Sequence, residues 1–417
     1  MHPTKGRGLD EFGNLEDFQN RQTQDWIFHL AGKLGMNKNP TFRVLIKFLI
    51  RFRSNLIKPM HAERYTLIGL MSGTSGDGLD LAHCHFEYHN GMWSYEIIQA
   101  ETRPFPMELG QALATSHLLS GLDLALLDVN FGRWTGEQVK NFCLENQVKP
   151  MAVASHGHTV FHQPEKGLSL QIGNGWALHQ ASGERVLADF RMLDVQLGGQ
   201  GAPLVPIGDR LLFPQLDFCI NLGGISNLSL EKNGQRIAFD CSPFNLLLNR
   251  EAVKLGSSFD QDGAWARAGN LNQALLAQLN ALPFYAVSGA KSLGRESIDQ
   301  IFIPLLDQSG LSPKDLLCTL VEHFAIQIAA LIQTHATKAT PSVLLTGGGA
   351  YNRYFVERLD HQLNQQWIQV EATKELIEFK EALIFAFLGV LKLRGEANAL
   401  ASVTGARRDS SGATIYG

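Results

Sequence analysis

The sequence predicts an α/β protein whose two similar domains face each other across a cleft. Three observations predict it. With 417 residues, 45% of them hydrophobic and 18% charged, the chain can fill large cores and is neither disordered nor fibrous. Both halves open with the same order of strand, glycine turn, strand, strand and helix. Three glycine-rich turns, MSGTSGDGLD (71–80), LGGISN (222–227) and GGGAYN (347–352), each close an apolar strand. No repeat is visible residue by residue, so the duplication rests on element order alone.

The first 64 residues stand apart. They hold eleven Lys or Arg and six Asp or Glu, a net +5, so the overall charge of −4 leaves −9 on the remainder. An acidic body of this kind lacks the basic surface that a nucleic-acid binder needs. Within the extension, FRVLIKFLIRFRSNLIK (42–58) is a basic amphipathic segment of the type that lies on a membrane surface or docks on a partner. Its apolar run is broken by Lys47, Arg51 and Arg53, which argues against a signal peptide. Residues 1–64 are expected to be a poorly ordered or peripheral extension. No apolar run approaches the roughly 18 residues of a membrane span, so no transmembrane segment is expected. Five scattered cysteines without a CxxC pair fit a reducing compartment, and a cytoplasmic location is expected.

The ordered part begins with the strand 65–70, which enters the first glycine turn. Segment 81–86 returns as a second strand and 93–100 reads as a third, so the turn is the polar tip of a hairpin. Helical patterns follow over 107–119 and 122–146, then a strand over 151–155 that ends in SHGHT. Segments 168–172 and 185–188 read as strands around a short helix. The second half repeats the order, with strands at 218–221, 228–230 and 237–239 before a helix over 245–255. A strand over 342–346 leads through the third glycine turn into a helix over 353–363. The last helix is expected to begin at Glu381 and run to Leu391.

Glycine-rich turns at strand ends suit a phosphate tail, because glycine allows both the backbone angles and the close approach that many N–H donors require. Gly73, Thr74, Ser75, Gly76, Gly78 and Leu79 offer such donors. Asp77 and Asp80 add carboxylates suited to hydrated Mg²⁺. Gly223, Gly224 and Asn227 form the second turn, and Gly347, Gly348, Gly349 and Asn352 the third. Neither a Walker motif nor GxGxxG after a strand is present, so P-loop and dinucleotide-binding folds are not supported.

Beyond these turns, a set of longer motifs carries a resemblance. SHGHTVFHQP (155–164), LQIGNG (170–175), ADFRMLDVQLGGQGAPLVP (188–206), FDCSPFN (239–245), FDQDGAWARAG (259–269), KSLGRE (291–296), EALIFAFLG (381–389) and SVTGA (402–406) occur in order with the three turns. Together they resemble the anhydro-N-acetylmuramic acid kinase family over about residues 65–417. That family belongs to the acetate and sugar kinase, Hsp70 and actin superfamily. The resemblance implies two ribonuclease-H-like domains of the actin-like ATPase kind around a cleft. The boundaries it implies are 65–187 with 381–417 for one domain and 188–380 for the other.

The resemblance implies a reaction as well as a fold: one site opens the 1,6-anhydro bridge of the sugar with water and phosphorylates the freed oxygen at the expense of ATP, with Mg²⁺, in cell-wall sugar recycling. Asp240 matches the family's general base, Glu381 the glutamate that holds the sugar, and Asp189, Arg191 and His156 are expected in the sugar cleft. As plain structural residues, Asp240 would cap the helix after it and Glu381 would open its own helix. Ser242 and Phe244 stand where the family carries glycine, and a phenylalanine there would narrow the sugar pocket or block it. A same-fold kinase acting on another anhydro- or amino sugar is therefore a rival reading, and a nucleotide-dependent switch without catalysis is a weaker one. The expected partner is a small-molecule sugar, with a homodimer as an allowed assembly and no nucleic acid.

Overall fold

Thirteen strands among the described residues fall into two large sheets and one hairpin. The computed structural model describes residues 62–72, 78–287 and 291–417. Of the expected extension (1–64), residues 1–61 lie outside the described residues, as do the expected phosphate-binding residues Gly73, Thr74, Ser75, Gly76 and Asp77. Glu63 and Arg64 are corrected, because they already belong to the first strand.

The first sheet is built from β1 (Glu63–Ser72), β2 (Gly78–His89), β3 (Met92–Pro104), β4 (Ala152–Ser155), β7 (Val186–Ala188) and β13 (Thr414–Tyr416), in the order β13-β7-β4-β1-β2-β3. Strands β1 to β3 form an antiparallel meander, β4 and β7 continue parallel to β1, and β13 closes the edge antiparallel. β5 (His158–Gln163) and β6 (Leu168–Ile172) make the separate hairpin. The second sheet contains β8 (Phe218–Leu222), β9 (Ser226–Lys232), β10 (Gln235–Ser242), β11 (Ser342–Thr346) and β12 (Ile368–Val370), in the order β10-β9-β8-β11-β12. Its first three strands are again an antiparallel meander, followed by two parallel strands. Both sheets thus share the order third, second, first, fourth, fifth, the arrangement of the ribonuclease-H-like, actin-like α/β fold. Element order in the sequence had pointed to this.

The helices that matter below are α1 (Gly121–Asn146), α2 (Gly175–Ser182), α3 (Val205–Leu212), α4 (Phe244–Val253), α5 (Pro313–His335), α6 (Arg353–Gln362) and α7 (Lys374–Leu393). By length and hydropathy α5 could cross a membrane, but 72% of its most apolar window is buried inside the fold. It is the core helix of the second sheet. Leu317, Leu320, Val321, Phe324 and Ile328 are buried against Phe218, Ile220 and Phe302, and Glu322 meets Arg358 in a paired ion contact.

α7 joins the two sheets. Leu383, Phe385, Phe387 and Leu388 share one core with Leu67, Phe86 and Ala154 of the first sheet and Cys219 and Leu344 of the second. The helix lies so close to β1 that a Cβ on Gly69 would strike the Ala382 carbonyl oxygen, so only glycine fits there. Thr373 caps its N-terminus by accepting the Leu376 N–H at 3.2 Å, and a non-helical Phe379 (φ −114°, ψ 15°) kinks it. The expected start at Glu381 is therefore corrected. Glu381 lies beyond the kink inside the helix, and its acid group does not open it.

Just before Glu381, Lys380 points the other way into a buried ion cluster. Its Nζ lies 2.7 Å from Asp209 Oδ1 of α3. Ser229 Oγ donates to Asp209 Oδ2 at 2.5 Å, and Arg236 Nη2 donates to Ser229 Oγ at 2.9 Å. Lys380, Asp209 and Arg236 are all at most 3% exposed.

Candidate active site

Three polar side chains stand in one row across the second sheet. Asn221 on β8 pairs with Asn227 on β9, and Asn227 pairs with Asp240 on β10. Directly paired residues of antiparallel strands point to the same face, and neighbouring strands lie about 4.8 Å apart, so all three occupy one face within roughly 10 Å. A register shift follows between Asp240 and Ser242, and such bulges commonly re-aim a side chain beside a site.

The segment 291–293 holds Asp240. Its N–H donates to the Lys291 carbonyl at 3.0 Å, and Oδ2 accepts the Leu293 N–H at 2.8 Å and the Ser292 hydroxyl at 3.2 Å. Burial raises the Asp240 pKa above the ordinary carboxylate value, against these two bonds, which favour the ionised form. The helix-cap reading of Asp240 is corrected: α4 begins after Pro243, with no side-chain cap. Phe244 and Ser242 are corrected too. Phe244 is fully buried between Phe324 and Phe355, ring centroids 5.2 and 4.8 Å away. Ser242 donates to the Cys241 carbonyl at 2.7 Å and meets the Tyr285 hydroxyl at 3.2 Å. Neither narrows a pocket.

Asn221 carries the row over to α7, where its Nδ2 donates to Glu381 Oε1 at 2.9 Å. Burial raises the Glu381 pKa, opposed by Lys380, Arg191 and the Asn221 amide. Arg191 donates through Nη1 to the Gly201 carbonyl at 2.7 Å, and through Nε and Nη2 to His156 Nε2 at 3.1 and 2.9 Å. Burial pulls its pKa down to about 10, with Glu381 pulling it back up, so Arg191 remains a cation at neutral pH. Because Arg191 donates to Nε2, the His156 proton sits on Nδ1 and is donated to the Gly157 carbonyl at 2.9 Å. Burial and then Arg191 hold the His156 pKa well below its usual value. This neutral ring has both nitrogens engaged, and its place is to orient Arg191.

Asp189 stands one step away. It adopts a left-handed backbone (φ +63°), rare for a residue with a side chain, and Oδ1 accepts the Met192 N–H at 3.2 Å. It lines a cavity of about 440 Å³ with Asp128, Gln171, Asn174 and Tyr416, at the ends of β6 and β7. Burial raises its pKa. Asp128 accepts the Gly173 N–H at 2.7 Å and the Asn174 amide at 3.2 Å, which ties this loop to α1.

The glycine turns separate into structural and accessible positions. Gly78 is forced by the close approach of the Arg103 carbonyl, 2.6 Å from where a Cβ would lie. Leu79 turns into the core, leaving only its backbone for a ligand, and Asp80 Oδ1 accepts the Thr102 hydroxyl at 2.6 Å. The carbonyls of Gly223 and Gly224 accept the Asn245 and Leu246 N–H groups at 3.2 and 3.1 Å, which seats this turn on the start of α4. Gly347 has φ +79° and lies against Asn221, and its N–H donates to the Ile377 carbonyl at 2.9 Å. A Cβ on Gly349 would press on Leu222 at 2.7 Å, whereas Gly348 has only the Asn245 amide near, at 3.9 Å. Asn352 Oδ1 accepts the Phe355 N–H at 3.0 Å and so caps α6. Gly348→Val should therefore leave the melting temperature unchanged, and Gly349→Val should lower it. Thermal unfolding of the two variants checks this.

The structure thus brings Asp240, Asn227, Glu381, Arg191 and His156 together with two of the three glycine turns, and sets Asp189 in the neighbouring cavity. The sequence reading did not assign Asn221, Ser292 or Leu293. An asparagine ending the apolar strand FCIN was the signal for Asn221, and the polar KSLGRE motif was the signal for the other two. Among the described residues no group of three His, Cys, Asp or Glu forms a metal cluster.

The profile of the anhydro-N-acetylmuramic acid kinase family matches residues 65–417. Curated proteins of that description align over most of their length. The one from Sulfurimonas denitrificans is 32% identical over 84% of this chain and 98% of its own. That from Pseudomonas putida is 36% identical over 82% and 96%, and that from Pasteurella multocida 35% over 84% and 96%. The match runs through every loop that builds the site, and on it this chain belongs to the anhydro-N-acetylmuramic acid kinase family.

Proposed function

We propose that the protein is an ATP-dependent kinase that opens 1,6-anhydro-N-acetylmuramic acid with water and delivers N-acetylmuramic acid 6-phosphate, in cell-wall sugar recycling. The observation that carries this reading is the single row from Asp240 through Asn227 and Asn221 to Glu381, beside the glycine turns. It supports reading Asp240 as the base and Glu381 as the sugar ligand, since Asp240 is on this sheet face and Glu381 meets the same face through Asn221.

In this reading Glu381 accepts a sugar hydroxyl, with Asn221 and Arg191 fixing and balancing its charge. Ionised Asp240 takes a proton from a water that attacks C1 on the face opposite the bridge oxygen, as in inverting glycoside hydrolysis. The C1–O6 bond breaks, and O6 takes the γ-phosphoryl group as the bond to the ADP oxygen breaks. The proton on Asp240 then returns to solvent. Phosphoryl transfer relies on positioning and charge neutralisation. Gly223 and Gly224 are the described positions suited to the phosphates and Gly348 of the third turn to the adenosine side, and the resemblance implies phosphate contacts for 73–78 as well. Mg²⁺ held through ATP phosphates needs only one or two protein carboxylates, a role that suits Asp80 with Asp77; when bound, it neutralises phosphate charge.

We propose that the two sheets act as the two lobes of the cleft, joined by α7, and that the protein works in the cytoplasm, where its nucleotide substrate is. Phe244 was the reason to consider a different sugar, and its burial in the core removes that reason. The test is to incubate the full chain with ATP, Mg²⁺ and the anhydro sugar. The expected product has gained one water and one phosphoryl group for each ADP formed. ADP release without that product contradicts the reading.

A further inference from the structure

The two oxygens of the Asp240 carboxylate are held unequally. Oδ2 receives both the Leu293 N–H and the Ser292 hydroxyl, and among the described residues no donor reaches Oδ1. A carboxylate on its own turns easily about its last torsion, which has a broad, two-fold profile. Two donors converging on one oxygen remove that freedom.

The strip that supplies them is anchored on both sides. Lys291 donates to the Phe284 carbonyl at 3.3 Å and lies over the Phe284 ring, 4.5 Å from its centroid. Leu293 is buried in the core of the second sheet. The Lys291 carbonyl also holds the Asp240 N–H, so side chain and backbone are registered to the same three residues. Between the two anchors, Ser292 is exposed and is not itself used for packing.

We infer that Ser292, with the Leu293 amide, is a positioning residue that clamps Asp240 through Oδ2 and keeps Oδ1 as the oxygen that takes the proton from water. The inference rests on Asp240 being the base. A carboxylate must be presented within hydrogen-bond reach of the proton it removes, so loosening its torsion lowers turnover without touching either substrate.

The test compares four proteins: Ser292→Ala, Ser292→Thr, Asp240→Asn, and Ser292→Ala combined with Asp240→Asn. Ser292→Ala should lower kcat about tenfold and leave both KM values and the unfolding midpoint unchanged, the signature of an interaction needed only for the chemical step. Ser292→Thr keeps the hydroxyl and should restore most of the loss. With Asn at 240 the alanine change should cost nothing further, because there is no longer a base to orient. The inference is overturned if Ser292→Ala keeps wild-type kcat while Asp240→Asn is crippled, or if its full loss recurs beside Asp240→Asn. Normal turnover by Asp240→Asn alone overturns the assignment of the base, and this inference with it.

Discussion

Asp240→Asn should lower turnover by roughly 10²–10⁴, the range for loss of a general base, while ATP and sugar still bind. The substitution keeps size and polarity and removes only the basic lone pair. The Leu293 N–H and Ser292 hydroxyl can still be accepted by the amide oxygen, so the local geometry should persist. Since Asp240 caps no helix, the variant should fold. The pH profile of the wild type follows from the same residue. Protonated Asp240 cannot accept a proton, so activity is lost as pH falls through its pKa. Burial raises that pKa, which places the acidic limb of kcat/KM above the ordinary aspartate value of 3.8. Steady-state kinetics across pH, with nucleotide titration of the variant, check both statements.

The second large effect is on stability. Asp209→Ala should cost about 3–5 kcal/mol, because it leaves Lys380 and Arg236 as two buried cations with no carboxylate between them. Burial alone would lower the Lys380 pKa, but Asp209 outweighs it and the net shift is upward. A raised lysine pKa stabilises the fold below the unfolded value of 10.5, and that contribution is lost as pH rises through the folded value. The effect of the substitution should therefore be full at neutral pH and shrink in strong alkali. Denaturant unfolding at pH 7 and above pH 11 reads it. Replacing Asp209, Lys380 and Arg236 together by apolar residues of similar volume should cost much less than removing Asp209 alone.

β8 and β11 were legible because each is a short apolar run stopped by glycine. β12 and β13 were not, since three half-exposed residues at a sheet edge show no alternation. The start of α7 was hidden by Lys374, Glu375 and Glu378, which break the apolar period before the kink; the Thr373 cap was the missed signal. Phe244 shows how a boundary of one residue changes a functional reading. With the helix begun at 245, Phe244 stood outside the pattern and beside the site. Begun at 244, the helix places Phe244, Leu247, Leu248 and Glu251 on one buried stripe. Asp240 and Glu381 could be named from motifs, but only the fold links them, because the link is Asn221 and the pairing of three strands. The opposed directions of Lys380 and Glu381, adjacent in sequence, likewise follow from helix geometry and not from residue type.

The central claim is that one site both hydrolyses the anhydro bridge and phosphorylates the oxygen it frees, with Asp240 activating the water. The most direct test runs the reaction in oxygen-18 water and examines the product at early times, before the C1 hydroxyl exchanges with solvent. The account predicts one heavy oxygen at C1, none in the phosphoryl group, and loss of this product in Asp240→Asn. A heavy oxygen in the phosphate, or labelled product formed at the wild-type rate by Asp240→Asn, would contradict it.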